Sequence, residues 1–168
     1  PRKRGARDEL AGFAGQRVRL HGYEIRRDGR RIVELDTARE APIETIEVAG
    51  SSRGRSIRWS DDERVTLDGE IIDSKCYIGA MKPGHGRGHK SCAINCIGGG
   101  IPPVLLTRAG GEPRYHILTA LDGSGLREDQ LGVILPYVAD RTSVSGRPGR
   151  FGDWRVLAID PATAIQRR

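Results

Sequence analysis

The stretch ERVTLDGEIIDSK, residues 63–75, is typical of a long β-strand that bends in its middle. Apolar side chains alternate with polar ones at Val65 and Leu67, and Ile71 and Ile72 follow a central glycine, Gly69. Glycine inside a strand marks a sharp bend or a close approach of another backbone, because it carries no side chain. We therefore predict a bent strand that opens the main β domain.

The same pattern, R-V-x-L-x-G-x-x-I, occurs 47 residues earlier in QRVRLHGYEIRRD, residues 16–28. It predicts a repeated bent strand, although two unrelated strands could share so short a pattern. The first copy leads into Asp28-Gly29 and a second alternating run, which predicts a β-hairpin. A strand at 44–50 and a loop at 51–56 follow. Residues 16–56 are thus predicted to be a partial N-terminal β unit, preceded by a flexible basic arm at 1–15.

Residues 57–168 predict a second, larger β domain. After the bent strand, the predicted elements are a hairpin, a short helix and a last hairpin: PPVLLTR (102–108) with RYHILTA (114–120), LREDQLGVILPYVAD (126–140), and RTSVSGRPG (141–149) with DWRVLAIDP (153–161). A bent first strand and a helix between the third and fourth strands give the order of an OB-fold barrel. An SH3-like barrel and a plain sandwich are the alternatives. We predict a mainly β, OB-fold-like small barrel with a Cys/His-rich helical insert at 76–98.

The insert, CYIGAMKPGHGRGHKSCAINC at 76–96, contains all three cysteines and two of the four histidines. GHKSCAINCIGGG predicts a short helix from about His89 to Ile97, which the glycines at 98–100 end. Positions i, i+3 and i+7 of a helix share one face, so His89, Cys92 and Cys96 would lie together. Cys76 ends the preceding strand, and the intervening loop is long enough to bring it to that face.

These residues are typical metal ligands. Cys76, His89, Cys92 and Cys96 would suit a tetrahedral Zn²⁺ site, and an iron–sulfur, copper or haem centre is the chemical alternative. Two readings without metal remain open. Cys76 could form a disulfide with Cys92 or Cys96 and leave one free thiol, or the cysteines could be inert core residues. His85, among glycines in the loop, is a spare ligand.

Charge is unevenly distributed. Residues 1–73 contain 15 basic and 15 acidic side chains, whereas residues 74–168 contain 13 and 7 and so carry the whole net charge of +6. Lys75, Lys82 and Lys90 lie in or beside the insert. Positive charge there would favour thiolates or an anionic partner. A solvated basic surface accounts for it equally well.

The run GEIIDSKCYIGAMKPGHGRGHKSCAINCIGGGIPPVLLT, residues 69–107, resembles a family of uncharacterised bacterial proteins with a CY…GHGxxHxxCAxxC…GGxPP segment in an OB-fold-like β domain. A weaker likeness covers residues 143–165. The resemblance implies no activity, but it supports Cys76, His89, Cys92 and Cys96 as the functional set. Longer family members have a hydrophobic N-terminal anchor, which implies a periplasmic or membrane-associated location and anchoring through a segment ahead of Pro1. A cytoplasmic location is the alternative.

Three functions fit these features. The first is a zinc-binding accessory or interaction module of a bacterial envelope protein, with a protein partner. The second is a redox or electron-transfer module that uses iron, copper, haem or a disulfide pair. The third is single-stranded nucleic-acid binding, which the basic composition favours but the scarcity of aromatic residues for base stacking opposes. No Ser/His/Asp order, acid pair or phosphate loop predicts an enzyme, so we expect the first.

Overall fold

A computed structural model describes residues 4–46, 56–61 and 63–168. These residues form a mainly β structure, with 42% strand and 21% helix, built around a closed five-stranded barrel. The prediction of a mainly β protein with a small barrel and a helical insert is confirmed. Part of the strand predicted at 44–50, and most of the loop predicted at 51–56, lie outside the described residues.

The strands are β1 Val18–Leu20, β2 Gly22–Arg27, β3 Arg30–Leu35, β4 Ile43–Thr45, β5 Arg58–Trp59, β6 Val65–Asp73, β7 Pro103–Ala109, β8 Glu112–Thr119, β9 Arg141–Phe151, β10 Trp154–Ala158 and β11 Ile165–Arg167. The α-helices are α1 Lys90–Gly98, α2 Glu128–Ile134 and α3 Pro161–Ala164. A π-helical turn spans Cys76–Ala80, and 3₁₀ turns span Arg87–His89 and Leu135–Tyr137. The predicted insert helix, the helix near 126–134 and the two downstream hairpins are therefore confirmed.

The barrel closes through five strand pairings. β6 pairs with β7, β7 with β8, β10 with β9 and β9 with β6, all antiparallel, while β8 and β10 are parallel. α2 follows β8 and precedes β9, so the helix lies between the third and fourth barrel strands as predicted. Because the pairing runs around a full circle, each of the five strands has a partner on both sides.

The predicted bend in β6 lies where that strand changes partners. Residues 65–70 pair with β9 and residues 70–73 pair with β7. A Cβ atom at Gly69 would lie 2.4 Å from the carbonyl oxygen of Leu106, so a larger residue would force the two strands apart. Glycine is required here by the close approach of a neighbouring backbone.

The earlier copy of the pattern behaves in the same way. Gly22 begins β2, directly after the chain leaves β1, and β1 pairs with β4 whereas β2 pairs with β3. A Cβ atom at Gly22 would lie 2.1 Å from the carbonyl oxygen of Glu34. Both copies therefore place their glycine at a change of strand partner, where another backbone passes closely.

The core sits inside the barrel and beneath α1 and α2. Its members include Ile71, Leu105, Leu118, Val144 and Leu157, each 2% exposed or less. Burial of one such side chain contributes about 1.5–3 kcal/mol. Ala93 and Ile97 of α1 pack into the same cluster. This packing fixes the insert helix against the barrel and leaves its cysteines on a separate face.

The N-terminal hairpin packs on the insert. Asp28 and Gly29 have φ values of 48° and 71°, which the predicted two-residue turn requires. The Arg27 guanidinium lies 4.2 Å above the Tyr77 ring and donates a hydrogen bond of 2.5 Å to the Tyr77 carbonyl oxygen. Asp28 Oδ2 accepts a hydrogen bond of 2.5 Å from the Tyr115 hydroxyl. The turn between β2 and β3 therefore holds both the insert and the barrel wall.

Residues 4–15, predicted to belong to a flexible arm, form a series of turns. Gly5 N–H donates to the Gly99 carbonyl oxygen at 2.8 Å, and the Arg7 guanidinium donates to the carbonyl oxygen of Leu126. This segment thus lies against the end of α1 and the loop before α2.

Among the described residues, no helix is both long and apolar enough to cross a bilayer.

His116 of β8 is a buried imidazole in a basic setting. It is 8% exposed, and its Nε2 lies 3.3 Å from Thr107 Oγ1. Burial, and then the positive charges of Arg155 and Arg114, lower the pKa of His116 to about 4. The folded protein therefore keeps this side chain neutral at a pH where the unfolded chain, with a pKa of about 6.5, is protonated.

Acidification from pH 7 to pH 5 should lower the free energy of unfolding by roughly 1–2 kcal/mol through His116. In this window the unfolded state binds more protons than the native state, so stability rises with pH. Urea unfolding at both pH values would measure the loss in the wild type and in His116→Gln, which keeps a polar group but does not titrate. On acidification, the free energy of unfolding of His116→Gln should fall by about 1–2 kcal/mol less than that of the wild type. Equal losses in the two proteins would contradict a lowered pKa for His116.

Candidate metal centre

The site begins where β6 ends. Asp73 is the last residue of that strand, and its Oδ1 accepts a hydrogen bond of 2.7 Å from the Cys76 N–H. The chain then forms the π-helical turn, which is closed by a hydrogen bond of 3.0 Å from Met81 N–H to the Cys76 carbonyl oxygen. Such turns are rare and occur often at functional sites. The backbone N–H and the carbonyl oxygen of Cys76 are therefore both held by hydrogen bonds to residues nearby in the sequence.

The other half of the site is α1. His89 directly precedes the helix, and Cys92 and Cys96 follow at i+3 and i+7. Gly99 ends the helix and donates its N–H to the carbonyl oxygens of Asn95 and Cys96, both at 3.1 Å. The spacing and the glycine stop were predicted, and they place both helix cysteines on the face turned toward Cys76.

The three sulfur atoms form a compact group. Cys76 Sγ lies 3.8 Å from Cys92 Sγ and 3.9 Å from Cys96 Sγ, and all three sulfurs lie within 4.8 Å of one another. None of the three cysteines forms a disulfide, and Cys76 and Cys96 are 0% exposed. Thiolates bound at about 2.3 Å to one tetrahedral ion are about 3.8 Å apart. The sulfur separations therefore suit one shared metal ion.

His89 belongs to a second group that overlaps the first. Asp73, Cys76 and His89 offer ligand atoms within 4.8 Å of one another, and His89 Nε2 lies 3.1 Å from Asp73 Oδ2. Asp73 is 0% and His89 7% exposed. Within the described ranges, no group unites His89 with all three cysteines. Ligation by His89 therefore stays a prediction, while the structure brings the three predicted cysteines together.

Comparison with protein-family models, with curated proteins and with solved structures finds no match. The chemistry of the site is therefore the basis for a functional interpretation.

Sequence reasoning missed Asp73. It lies three residues before Cys76, directly after Ile71 and Ile72, and its carboxylate is fully buried between the Cys76 amide and the His89 ring. An acidic residue directly after two isoleucines is the one signal that the sequence offered. A carboxylate so placed orients the residues around it, because each of its oxygens already has a fixed partner.

The same residues could be read as a nucleophilic site. Asp73, His89 and Cys76 are the carboxylate, imidazole and thiol that activate a cysteine in some enzymes. Cys76 is 0% exposed, however, and two further thiols surround it. A nucleophile must reach its substrate, so the buried arrangement fits metal binding better.

Burial is the largest influence on the pKa of the Cys96 thiol. It raises the pKa of Cys96, and the negative charges of Asp73, Cys76 and Cys92 raise it further. Cys96 therefore keeps its proton in the absence of a cation. A divalent cation would reverse this balance, since it binds thiolates and releases their protons.

Two of the lysines near the site already have acidic partners. Lys75 Nζ forms an ion pair with the Glu34 carboxylate of the N-terminal hairpin, and Lys90 Nζ lies 2.7 Å from Asp140 Oδ2. Hydrogen bonding by Lys90 is the first cause of the lowered pKa of Asp140. The positive charge predicted to favour thiolates is thus largely offset by these carboxylates.

His85, the spare ligand, lies apart from both groups. Its Nδ1 is 3.8 Å from Glu70 Oε2, and its ring centroid is 5.7 Å from that of Tyr77. It is a member of neither metal-competent group among the described residues. Its contacts are those of a loop residue that packs against Tyr77, in the first turn of the same insert.

Proposed function

We propose that this chain is a zinc-binding β-barrel module in which one Zn²⁺ fastens the insert to the barrel. Cys76, Cys92 and Cys96 supply three thiolates, and His89 supplies the fourth ligand. The observation that carries the proposal is the pair of sulfur separations, 3.8 and 3.9 Å, which suit three thiolates on one tetrahedral ion.

Asp73 is proposed to support the fourth ligand. Metal-bound histidines commonly donate their other ring N–H to a carboxylate, which fixes the tautomer and the ring orientation. His89 Nε2 faces Asp73 Oδ2 at 3.1 Å, so its Nδ1 is the nitrogen left for the ion. Since the four ligands do not form one group in this structure, metal binding requires the insert to bring His89 and the three sulfurs closer together.

A structural role follows from the burial and the chain positions of the ligands. Cys76 and Cys96 are fully buried, and structural zinc sites are closed by four protein ligands. The ion would join the π-helical turn that follows β6 to α1, two elements separated by a glycine-rich loop. In an iron–sulfur cluster, thiolates bound to different irons lie farther apart than the three sulfur atoms of this site. The short sulfur separations therefore favour a single ion over the iron–sulfur alternative.

We further propose that the barrel is an OB-fold serving as an accessory or interaction module of a bacterial envelope protein. Support comes from the strand order, with α2 between the third and fourth barrel strands, and from the family that residues 69–107 resemble. A periplasmic or membrane-associated location and a protein partner, rather than nucleic acid, belong to the same proposal.

Elemental analysis of protein purified without added metal tests the proposal. We expect about one zinc per chain, no visible colour, and intense visible bands after replacement by Co²⁺, because Co²⁺ in tetrahedral thiolate sites absorbs strongly. Two irons per chain or a copper spectrum would support the redox alternative instead. A metal-free protein that loses stability on treatment with reductant alone would show that a disulfide ties the insert.

A further inference from the structure

A second feature, separate from the metal centre, is a row of basic side chains across four neighbouring strands. Arg58 of β5 and Arg155 of β10 lie opposite Arg150 of β9, one on each side. On the next strand, β8, His116 lies opposite Arg155. Residues directly opposite one another share a face of the sheet, and their Cβ atoms are about 4.5–5.5 Å apart. Three guanidinium groups therefore extend from one face, one strand apart.

A fourth arginine shares this face. Arg114 lies two residues before His116 on β8, and side chains along a strand alternate between the two faces of a sheet. We call Arg58, Arg114, Arg150 and Arg155 the arginine cluster; Arg155 is half-buried and the other three are exposed. A ligand in solution can therefore reach the guanidinium groups.

No acidic group offsets the charge of the arginine cluster in the part of the chain that the structure describes. None of its four members forms an ion pair or a side-chain hydrogen bond there. Burial is the first cause of the lowered pKa of Arg155. The positive charges of Arg150, Arg114 and Arg30 are the other causes, and no carboxylate acts in the opposite direction. Because like charges directly opposite one another on paired strands are destabilising, the cluster carries its positive charge at a cost to the fold.

The number and the kind of these cations restrict the ligand to a multivalent oxyanion. The arginine fork donates two parallel N–H groups to a pair of oxygens, which suits carboxylates and phosphates. A carboxylate has two oxygens and one charge, and a single arginine fork engages both oxygens. A phosphomonoester has three terminal oxygens and a charge of about −1.5 to −2 at pH 7. It can therefore accept from several guanidinium groups at once and offset more of their charge.

We propose that the arginine cluster binds a phosphomonoester group. Arg150 and Arg155, which lie opposite each other on the β9–β10 hairpin, donate to its terminal oxygens. Arg58 and Arg114 flank this pair on β5 and β8, the strands to either side. None of these residues is a proposed metal ligand, so the site does not depend on the proposed zinc function.

Calorimetric titration of the whole chain with two methyl esters of phosphate, at about pH 8 and constant ionic strength, tests the charge of the ligand. Methyl phosphate is a dianion with three terminal oxygens, whereas dimethyl phosphate is a monoanion with two, like the phosphodiester of a nucleic acid. We expect one saturable site for methyl phosphate, with binding about tenfold tighter than that of dimethyl phosphate, which is the effect of one charge-assisted hydrogen bond. The absence of saturable binding would overturn the proposal. So would equal affinity for the two esters, which would assign the cluster to a phosphodiester.

Arginine variants test the location of the site. Arg114→Gln and Arg150→Gln should each weaken binding of methyl phosphate about tenfold, since each removes a charge-assisted hydrogen bond. Both variants should fold, because both positions are exposed and the change reduces repulsion. The control is Arg108→Gln. Arg108 is exposed and follows Thr107, whose side chain faces His116, so Arg108 lies on the opposite face and its loss should leave binding unchanged. Equal losses in Arg108→Gln and Arg150→Gln would show that binding is not confined to the cluster and would overturn the proposal.

NMR spectra of the histidine rings during the methyl phosphate titration supply an independent check. The ring protons of His116, opposite Arg155, should shift along the same saturation curve as the calorimetric titration. His21, which pairs with Glu44 in the N-terminal unit, should not shift. An unmoved His116, or equal shifts of the two histidines, would contradict a site at the arginine cluster.

Vesicles separate the two sources of a phosphomonoester, a lipid headgroup and a soluble molecule. Sedimentation of the chain with phosphatidylcholine vesicles that contain phosphatidic acid, and its loss in Arg150→Gln, would place the phosphate on a lipid. A chain that binds methyl phosphate but stays in the supernatant would take its phosphate from a soluble molecule. Sedimentation that Arg150→Gln leaves unchanged, in place of methyl phosphate binding, would overturn the proposal.

Discussion

Cys96→Ser is expected to abolish stoichiometric metal binding and to lower the free energy of unfolding by about 4 kcal/mol. Cys96 is 0% exposed, and its sulfur lies 3.9 Å from that of Cys76, so serine at this position removes one of three thiolates. The unfolded chain has no preformed site, and the free energy of metal binding therefore contributes to folding. In a protein of this size the loss corresponds to a fall in Tm of roughly 8–16 °C.

The metal-dependent part of this effect can be separated from the burial of a hydroxyl. A strong chelator should destabilise the wild type by a comparable amount and should leave Cys96→Ser almost unchanged. Ser91→Ala, at an exposed position of the same helix, is the matched control and should keep both the metal and the Tm. If the chelator destabilises the wild type and the serine variant equally, the three thiols do not hold a stabilising ion.

Asp73→Ala is expected to have an effect of similar size, about 4 kcal/mol, because it leaves two buried groups without a partner. The Cys76 N–H loses its acceptor at 2.7 Å, and the His89 ring loses its partner at 3.1 Å. Each unsatisfied buried group costs about 1–3 kcal/mol, and the missing carboxylate also leaves a void. Chemical unfolding of the purified variant measures the loss.

Two companions of this variant show what Asp73 does. Asp68→Ala removes an aspartate from the same strand, but Asp68 is exposed and pairs at the surface with Arg168, so the change should cost less than about 1 kcal/mol. Asp73→Asn keeps the shape and one acceptor oxygen, and should recover most of the stability while weakening metal affinity by about 10–100-fold. Wild-type metal affinity in Asp73→Asn would contradict the proposed support of His89.

Much of the fold could be predicted because its signals are local. Alternating apolar residues defined the long strands, and Asp28-Gly29 predicted the N-terminal turn that the structure shows. The glycines after Ile97 predicted the end of α1. Two short strands gave no such signal: β5 has two residues and β11 has three, and both form only because β9 offers them a partner.

The features of the candidate site also fall into two kinds, those that local sequence predicted and those that it did not. By itself, the sequence determined which thiols could meet, because i, i+3 and i+7 lie on one helix face whatever that helix packs against. It also placed Cys76 at the end of the preceding strand, whereas in the structure Cys76 begins the π-helical turn three residues after β6 ends. Only the tertiary structure decided that Asp73 lies beneath Cys76 and His89, that His85 lies apart, and that acidic partners from the hairpin and from Asp140 offset Lys75 and Lys90. Helical periodicity is fixed by the backbone over a few residues, whereas the burial of a carboxylate and the pairing of a charge depend on segments that are distant in the sequence and meet only when the barrel closes.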